Sequence, residues 1–169
     1  MDPQGVLFNQ RTETSSALFS PCRQYRYKLS RVWDEALPKL NFLMLNPSTA
    51  DETVNDPTIS RQIERAKRWG YGSLHITNLF AWRSTDPKFL RDTPDPVGLE
   101  NDWYIRETAT ICDLVVCGWG NNGTLKGRYV EVLKLLANIP LKALRVTKTG
   151  QPEHPLYIGY DVSLKDFNA

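Results

Sequence analysis

Four short apolar runs, Phe42–Leu45, Leu74–Phe80, Leu114–Cys117 and Leu141–Thr147, are separated by stretches of helical patterning, and this alternation limits the fold more than any other feature. Runs of this length bounded by turn residues read as buried strands. Asp56-Pro57 and Asp95-Pro96 each place a capping carboxylate before a proline at the first helical position. After the first, Ile59, Ile63 and Ala66 recur at helical spacing until Gly70, a left-handed cap. The second opens a helix through about Ile111. Leu125, Tyr129, Val132 and Leu136 mark a third, stopped by Pro140.

Strands alternating with helices predict an α/β fold: three layers, α/β/α, around a central, mostly parallel four-stranded sheet. Gln24–Trp33 alternates, with Tyr25, Tyr27 and Leu29 on an apolar side and Arg26, Lys28 and Arg31 on a solvated one. Through the turn at 34–39 it forms an N-terminal β-hairpin with Phe42–Leu45. Residues 1–18 are polar and read as a flexible arm, leaving 19–169 as a single domain.

The balance of 21 basic and 19 acidic residues leaves a net charge of +2, which excludes a polycationic arm. Contact with DNA would need a local patch, and Arg61, Arg65, Lys67 and Arg68 on the first helix are the best source of one. Cys22, Cys112 and Cys117 form no C-x-x-C pair, so no disulfide framework, metal site or cofactor is expected. Without an apolar run near 18 residues, the expectation is a soluble, cytoplasmic monomer with no membrane contact.

Parallel strands bring their carboxyl ends, and the loops that follow, to one edge of the sheet, where open α/β folds hold ligands. Asn46, Asn78, Trp82, Arg83, Trp119, Asn121 and His154 lie in those loops. Gly118-x-Gly120-x-x-Gly123 matches a dinucleotide fingerprint, but in the third βα unit, and Lys148 follows the next strand where an acidic ribose ligand belongs. A cradle for one phosphate, helped by Lys126, is the better expectation. Ser48 stands in no G-x-S-x-G setting, which disfavours a serine hydrolase. His75 sits mid-strand as a structural side chain. His154, in a loop, is either structural or a donor to ligand.

Taken in order, these motifs carry a resemblance. Leu45-Asn46-Pro47-Ser48, the strand around Asn78, the apolar strand ending at Gly118, and His154-Pro155-Leu156 resemble the motifs of the uracil-DNA glycosylase superfamily. Its mismatch-specific branch carries Asn-Pro-Gly in the first motif and its members a His-Pro-Ser near the carboxyl end. A wider set is similar to a group of bacterial and phage proteins catalogued as a domain of unknown function. That set comprises Ser20-Pro21-Cys22, Arg26-Tyr27, Leu45–Asp51, Asn78-Leu79-Phe80, Asp86-Pro87 and His154–Tyr157.

The glycosylase resemblance implies a uracil-DNA-glycosylase-like fold and a pocket for a nucleotide flipped out of DNA. Asn46 orients the attacking water, Asn78 reads the base edge, and His154 donates to the base as charge develops, a role worth about 3–4 kcal/mol. Ser48, Trp82, Arg83, Trp119 and Asn121 complete the base site, with Gly118, Gly120, Gly123 and Lys126 at a phosphate. Branches that reject thymine have a Tyr where Ser48 stands, so the implied ligand is a modified, 5-substituted pyrimidine. The alternative is a non-catalytic module that binds a nucleotide, modified base or DNA in the same pocket.

Overall fold

The computed structural model describes residues 13–168. Strands β1 (Thr14–Phe19), β2 (Arg26–Val32), β3 (Lys39–Met44), β4 (Ser73–Asn78), β5 (Leu114–Cys117), β6 (Leu141–Ala143) and β7 (Lys165–Asp166) form one sheet in the order β1-β2-β4-β3-β5-β6-β7. β4, β3, β5 and β6 run parallel, whereas the β1–β2, β2–β4 and β6–β7 pairs are antiparallel. The class is therefore α/β, but the sheet is seven-stranded and mixed rather than four-stranded.

The helices are α1 (Pro57–Arg68), α2 (Asn101–Ile111) and α3 (Arg128–Leu135). Side chains alternate across a strand, and the two faces of β3 bury against different helices. Leu40, Phe42 and Met44 pack with Ile59 and Ala66 of α1, whereas Leu43 and Leu45 pack with Ile105 and Ala109 of α2, Val132 of α3 and Leu136 at its carboxyl cap.

Helix α1 begins where its cap chemistry directs. The Asp56 side chain accepts from the Ile59 N–H at 2.9 Å, with Pro57 next in line. It ends at Gly70, with φ +82°, where the Gly70 N–H reaches the Lys67 carbonyl and the Tyr71 N–H the Ala66 carbonyl. Those two bonds make a Schellman ending. The second Asp-Pro behaves otherwise. Asp95 accepts from the Val97 and Gly98 N–H groups, closing a turn, and α2 starts only at Asn101. The same carboxylate-to-backbone bond satisfies either a turn or a helix start.

The amino-terminal part of the sheet departs from expectation. The hairpin partner of β2 is β1, not β3, and on its other side β2 joins β4. Thr14–Phe19, whose first five residues fall in the expected arm, is thus an edge strand; residues 1–12 of that arm lie outside the described residues. The assignment of Arg26 and Arg31 to a solvated face also fails, because both are buried. Arg31 donates to the Asp51 carbonyl at 2.5 Å and to Asn55 Oδ1 at 2.9 Å, tying the loop after β3 to β2.

Two members of the cationic patch on α1, Arg61 and Arg65, are likewise used inside the protein, while Lys67 and Arg68 remain exposed. Arg65, fully buried, donates to the carbonyls of Ile158 and Gly159, and Arg61 donates to Ile158. The guanidinium groups of Arg61, Arg65 and Arg68 lie 4.6, 5.2 and 4.1 Å from the Tyr160 ring centroid. They fasten the carboxyl-terminal segment over α1, close behind His154.

Candidate functional site

Asn46 and Asn78 are brought together by strand periodicity. Phe42 and Met44, like Leu74 and Ile76, face α1, and continuing each alternation by two residues reaches Asn46 and Asn78. The parallel register pairs Met44 with Asn78, and the Leu79 N–H to Met44 carbonyl bond extends the pairing beyond the strand ends. Both amides therefore emerge on the α1 face of the carboxyl edge. There they line a pocket of about 250 Å³ with Arg26, Met44, Ser48, Asp56, Thr58, Ser84, Thr85, His154 and Leu156. A larger, more open groove of about 800 Å³ lies between α3 and residues 166–168. None of the buried polar atoms that lack a partner lines it, so chemistry rather than size selects the smaller pocket.

Asn46 is held at one end. Its Nδ2 donates to the carbonyls of Ser84 and Pro47 at 2.9 and 3.0 Å, while the Ser84 N–H returns a bond to the Pro47 carbonyl. This exchange orients the amide and leaves Oδ1 as an acceptor without a donor among the described residues. Asn78 is the opposite case. Its side chain is 2% exposed, and Oδ1 is buried with no hydrogen-bond partner among the described residues. Only its backbone is held, through Asn101 Nδ2 on its carbonyl at 2.9 Å. An unpaired buried amide costs about 1–3 kcal/mol, a cost that a ligand presenting a donor and an acceptor would offset.

His154 enters from the loop before the short 3₁₀ turn Pro155–Tyr157. The Leu156 N–H donates to its Nδ1 at 3.2 Å, which fixes the proton of the neutral ring on Nε2 and makes that atom a donor. Although the side chain is exposed at the pocket mouth, the loss of water around the ring pushes its pKa down, partly opposed by the carboxylate of Asp56. Gly118 sets the depth of this loop. A Cβ there would lie 3.0 Å from Pro155 Cδ and 3.2 Å from Met44 Sδ.

The other sequence candidates lie apart from the pocket. Trp119 is in the core, donating from Nε1 to Gln151 Oε1 at 2.8 Å and meeting Phe167 edge to face. Trp82 packs edge-on against Tyr25, and Arg83 sits over the Phe19 ring and donates to the Arg23 carbonyl. Asn121 Oδ1 accepts from the hydroxyls of Thr147 and Thr149.

The glycine loop is not shaped as a phosphate cradle. Residues 121–127 form an irregular 3₁₀ segment broken at Leu125 and Lys126, so no α-helix starts at the glycines. A Cβ on Gly123 would lie 2.1 Å from Trp119 Cδ1, and the Gly120 N–H is taken by the Pro152 carbonyl. Gly123 makes room for an indole, and Gly120 supplies a left-handed turn, with φ +69°.

His75 is structural, with Nδ1 2.8 Å from Ser30 Oγ and Nε2 3.1 Å from Ser73 Oγ. Among the described residues no group of three or more His, Cys, Asp and Glu side chains forms a metal site, and all three cysteines are free. Nor is any helix among them long and apolar enough to cross a membrane.

Sequence reading missed Arg26. Phe19 pairs with Arg26 while Leu18 pairs with Lys28, so Tyr27 is an extra residue, a bulge. Bulges re-aim side chains. Tyr27 stacks on Tyr104 of α2, and Arg26 turns into the pocket on the α1 side. Its guanidinium is 2% exposed, and burial brings its pKa down to about 10, opposed by Asp56 and reinforced by Arg83 and Arg31, so it remains a cation at neutral pH. No signal within β2 itself distinguishes a bulged from a regular strand.

No curated protein and no solved structure matches the chain. A family model does, across residues 26–156, a span that begins with Arg26 and ends with Leu156, both in the pocket wall. The chain belongs to the family described as a protein of unknown function, DUF1643.

Proposed function

We propose that the pocket receives a pyrimidine base and that the protein is a uracil-DNA-glycosylase-like hydrolase acting on a 5-substituted pyrimidine in DNA. The observation that carries this reading is the buried, unpartnered amide oxygen of Asn78 in the same small pocket as Asn46 and His154. An amide presents one donor and one acceptor, the complement of a pyrimidine edge. A volume of about 250 Å³ is below the roughly 300–1,000 Å³ of drug-sized sites, which suits one heterocycle with a small substituent. The parallel run β4-β3-β5-β6 supports the finer fold reading, a uracil-DNA-glycosylase-like sheet extended at both edges.

In the reaction, water attacks the anomeric carbon, the C–N bond to the base breaks, and its electron pair leaves with the base. Asn46 Oδ1 accepts a hydrogen bond from that water and orients it, being too weak a base to take its proton. The Nε2–H of His154 donates to the base oxygen on which negative charge grows. The proton released by water passes to solvent, and the products are a free base and an abasic sugar. Ser48 leaves space at the pocket wall for a substituent.

One observation favours a second reading, a non-catalytic binder of a nucleotide or modified base. The arginines of α1 are engaged with the carboxyl-terminal segment, and phosphate contacts supply most non-specific duplex affinity. Incubating the protein with DNA carrying a panel of modified pyrimidines, scored for free base by mass spectrometry, separates the two. Release that disappears in Asn46→Ala while binding persists supports the hydrolase. Binding without release from any member of the panel leaves the binder, and neither outcome with any base defeats both.

A further inference from the structure

The cation in the pocket wall has no counterpart in either reading above. Arg26 has five N–H donors, of which the structure uses one for a protein hydrogen bond, Nη1 to the Ala50 carbonyl at 2.9 Å. Its Nε is buried without a partner, and Nη2 makes no hydrogen bond among the described residues. The unused edge of the guanidinium, Nε with Nη2, is the fork that meets an oxyanion through two parallel bonds. Asp56 also lines the pocket. Its Oδ1 is held by the Ile59 N–H, however, and it forms no ion pair with Arg26 among the described residues. A buried guanidinium is normally paired, and a backbone bulge has been spent on aiming this one inward.

We infer that Arg26 forms an oxyanion subsite inside the pocket, so that the ligand is a pyrimidine bearing a small anionic group. This rests on the pyrimidine reading and deepens it. The anion has two possible sources with the same chemistry, a carboxylate on C5 of the base or the phosphate of the nucleotide itself. The small Ser48 opens a route for the first. The hydroxyls of Ser48, Thr58 and Thr85, which also line the cavity, supply further donors for either.

The test is calorimetric binding with ligands paired with and without the anionic group: 5-carboxyuracil against its near-isostere 5-carbamoyluracil, and deoxyuridine monophosphate against deoxyuridine. The wild-type protein is expected to prefer the anionic member of at least one pair by tenfold or more, and the pair that shows it names the source. Arg26→Gln is expected to bring that ratio close to one, and Arg26→Lys to retain part of it. If the buried substitution unfolds the protein, the wild-type ratios decide alone. Ratios near one in both pairs, with pyrimidines still bound, overturn the oxyanion subsite and leave the base pocket standing. Inorganic phosphate bound by the wild type and not by Arg26→Gln, with no pyrimidine bound, upholds the subsite and removes the base. Absence of binding by every probe removes both.

Discussion

Two loop systems share the carboxyl edge of the sheet, and they solve opposite problems. The loops after β3 and β4 surround a space in which an amide oxygen and a guanidinium nitrogen are buried without partners. The loop after β5 carries the more suggestive sequence, with three spaced glycines, a tryptophan and two asparagines, yet it is filled. Trp119 occupies the interior with its N–H bonded to Gln151, and Gly123 is small because the indole lies against it. Native proteins pair nearly all their buried polar groups. Two exceptions in one pocket therefore mark a place reserved for something else, whereas a glycine pattern accommodates a ligand or a neighbouring side chain equally well.

The filled side should answer to stability. Trp119→Ala removes a fully buried indole and its hydrogen bond, and is expected to cost about 3–5 kcal/mol in urea unfolding, with ligand affinity at the pocket unchanged in whatever protein remains folded. A variant of wild-type stability that had lost its ligand would reverse the comparison, making the loop after β5 the site.

The two histidines sharpen the same contrast. His75 lies between two serine hydroxyls, and burial, with Lys28 and Lys39 nearby, lowers its pKa from 6.5 to about 4. The unfolded chain then binds a proton that the folded one refuses. Stability is full above about pH 6.5 and declines as pH falls towards 4, by about 3 kcal/mol for a shift of this size. Unfolding midpoints measured from pH 7 to pH 4 should show this loss in the wild type and a shallower one in His75→Gln. Equal slopes would mean that His75 is not held neutral.

The open side should answer to ligand. Asn78→Leu keeps the branching at Cγ and deletes a polar group with no partner to lose among the described residues, so stability should hold or rise. Pyrimidine affinity should fall at least tenfold, about 1.4 kcal/mol. A clear loss of stability would show that Asn78 is paired in the free protein, and the contrast between the two loops would weaken.

What the sequence made legible follows from local rules. The Asn-Pro stop and the gathering of parallel strand ends at one edge were enough to place Asn46 and Asn78 together, and period two puts both on the α1 face. Asp56-Pro57 fixed the start of α1 through a bond spanning three residues. The failures were of longer range. Which strand lies beside β2 depends on the whole sheet order, so β1 was missed and β3 was given the wrong partner. The bulge at Tyr27 appears only once β1 and β2 are in register, and a regular alternation put Arg26 on the wrong face. Arg61 and Arg65 looked like surface charge because the carbonyls that claim them lie over 90 residues further along the chain.

Gly118 is the point where the two loop systems meet, and substitution there should give the smallest effect. Its missing Cβ lets Pro155 and Met44 approach, so the packing after β5 sets how far His154 reaches over the pocket. The Met44 side chain is flexible and can give way; Pro155, fixed in a short turn, cannot do so without moving His154. Gly118→Ala should therefore cost about 1 kcal/mol of stability, at the low end for overpacking. Lifting the turn would return water to the imidazole, and the depressed pKa of His154 should rise towards its ordinary value. The chain has only two histidines, so a proton NMR titration follows both, with buried His75 as the internal control. If the His154 titration stays in place in a variant that has lost stability, the turn has absorbed the methyl group elsewhere, and the loop after β5 is mechanically separate from the pocket.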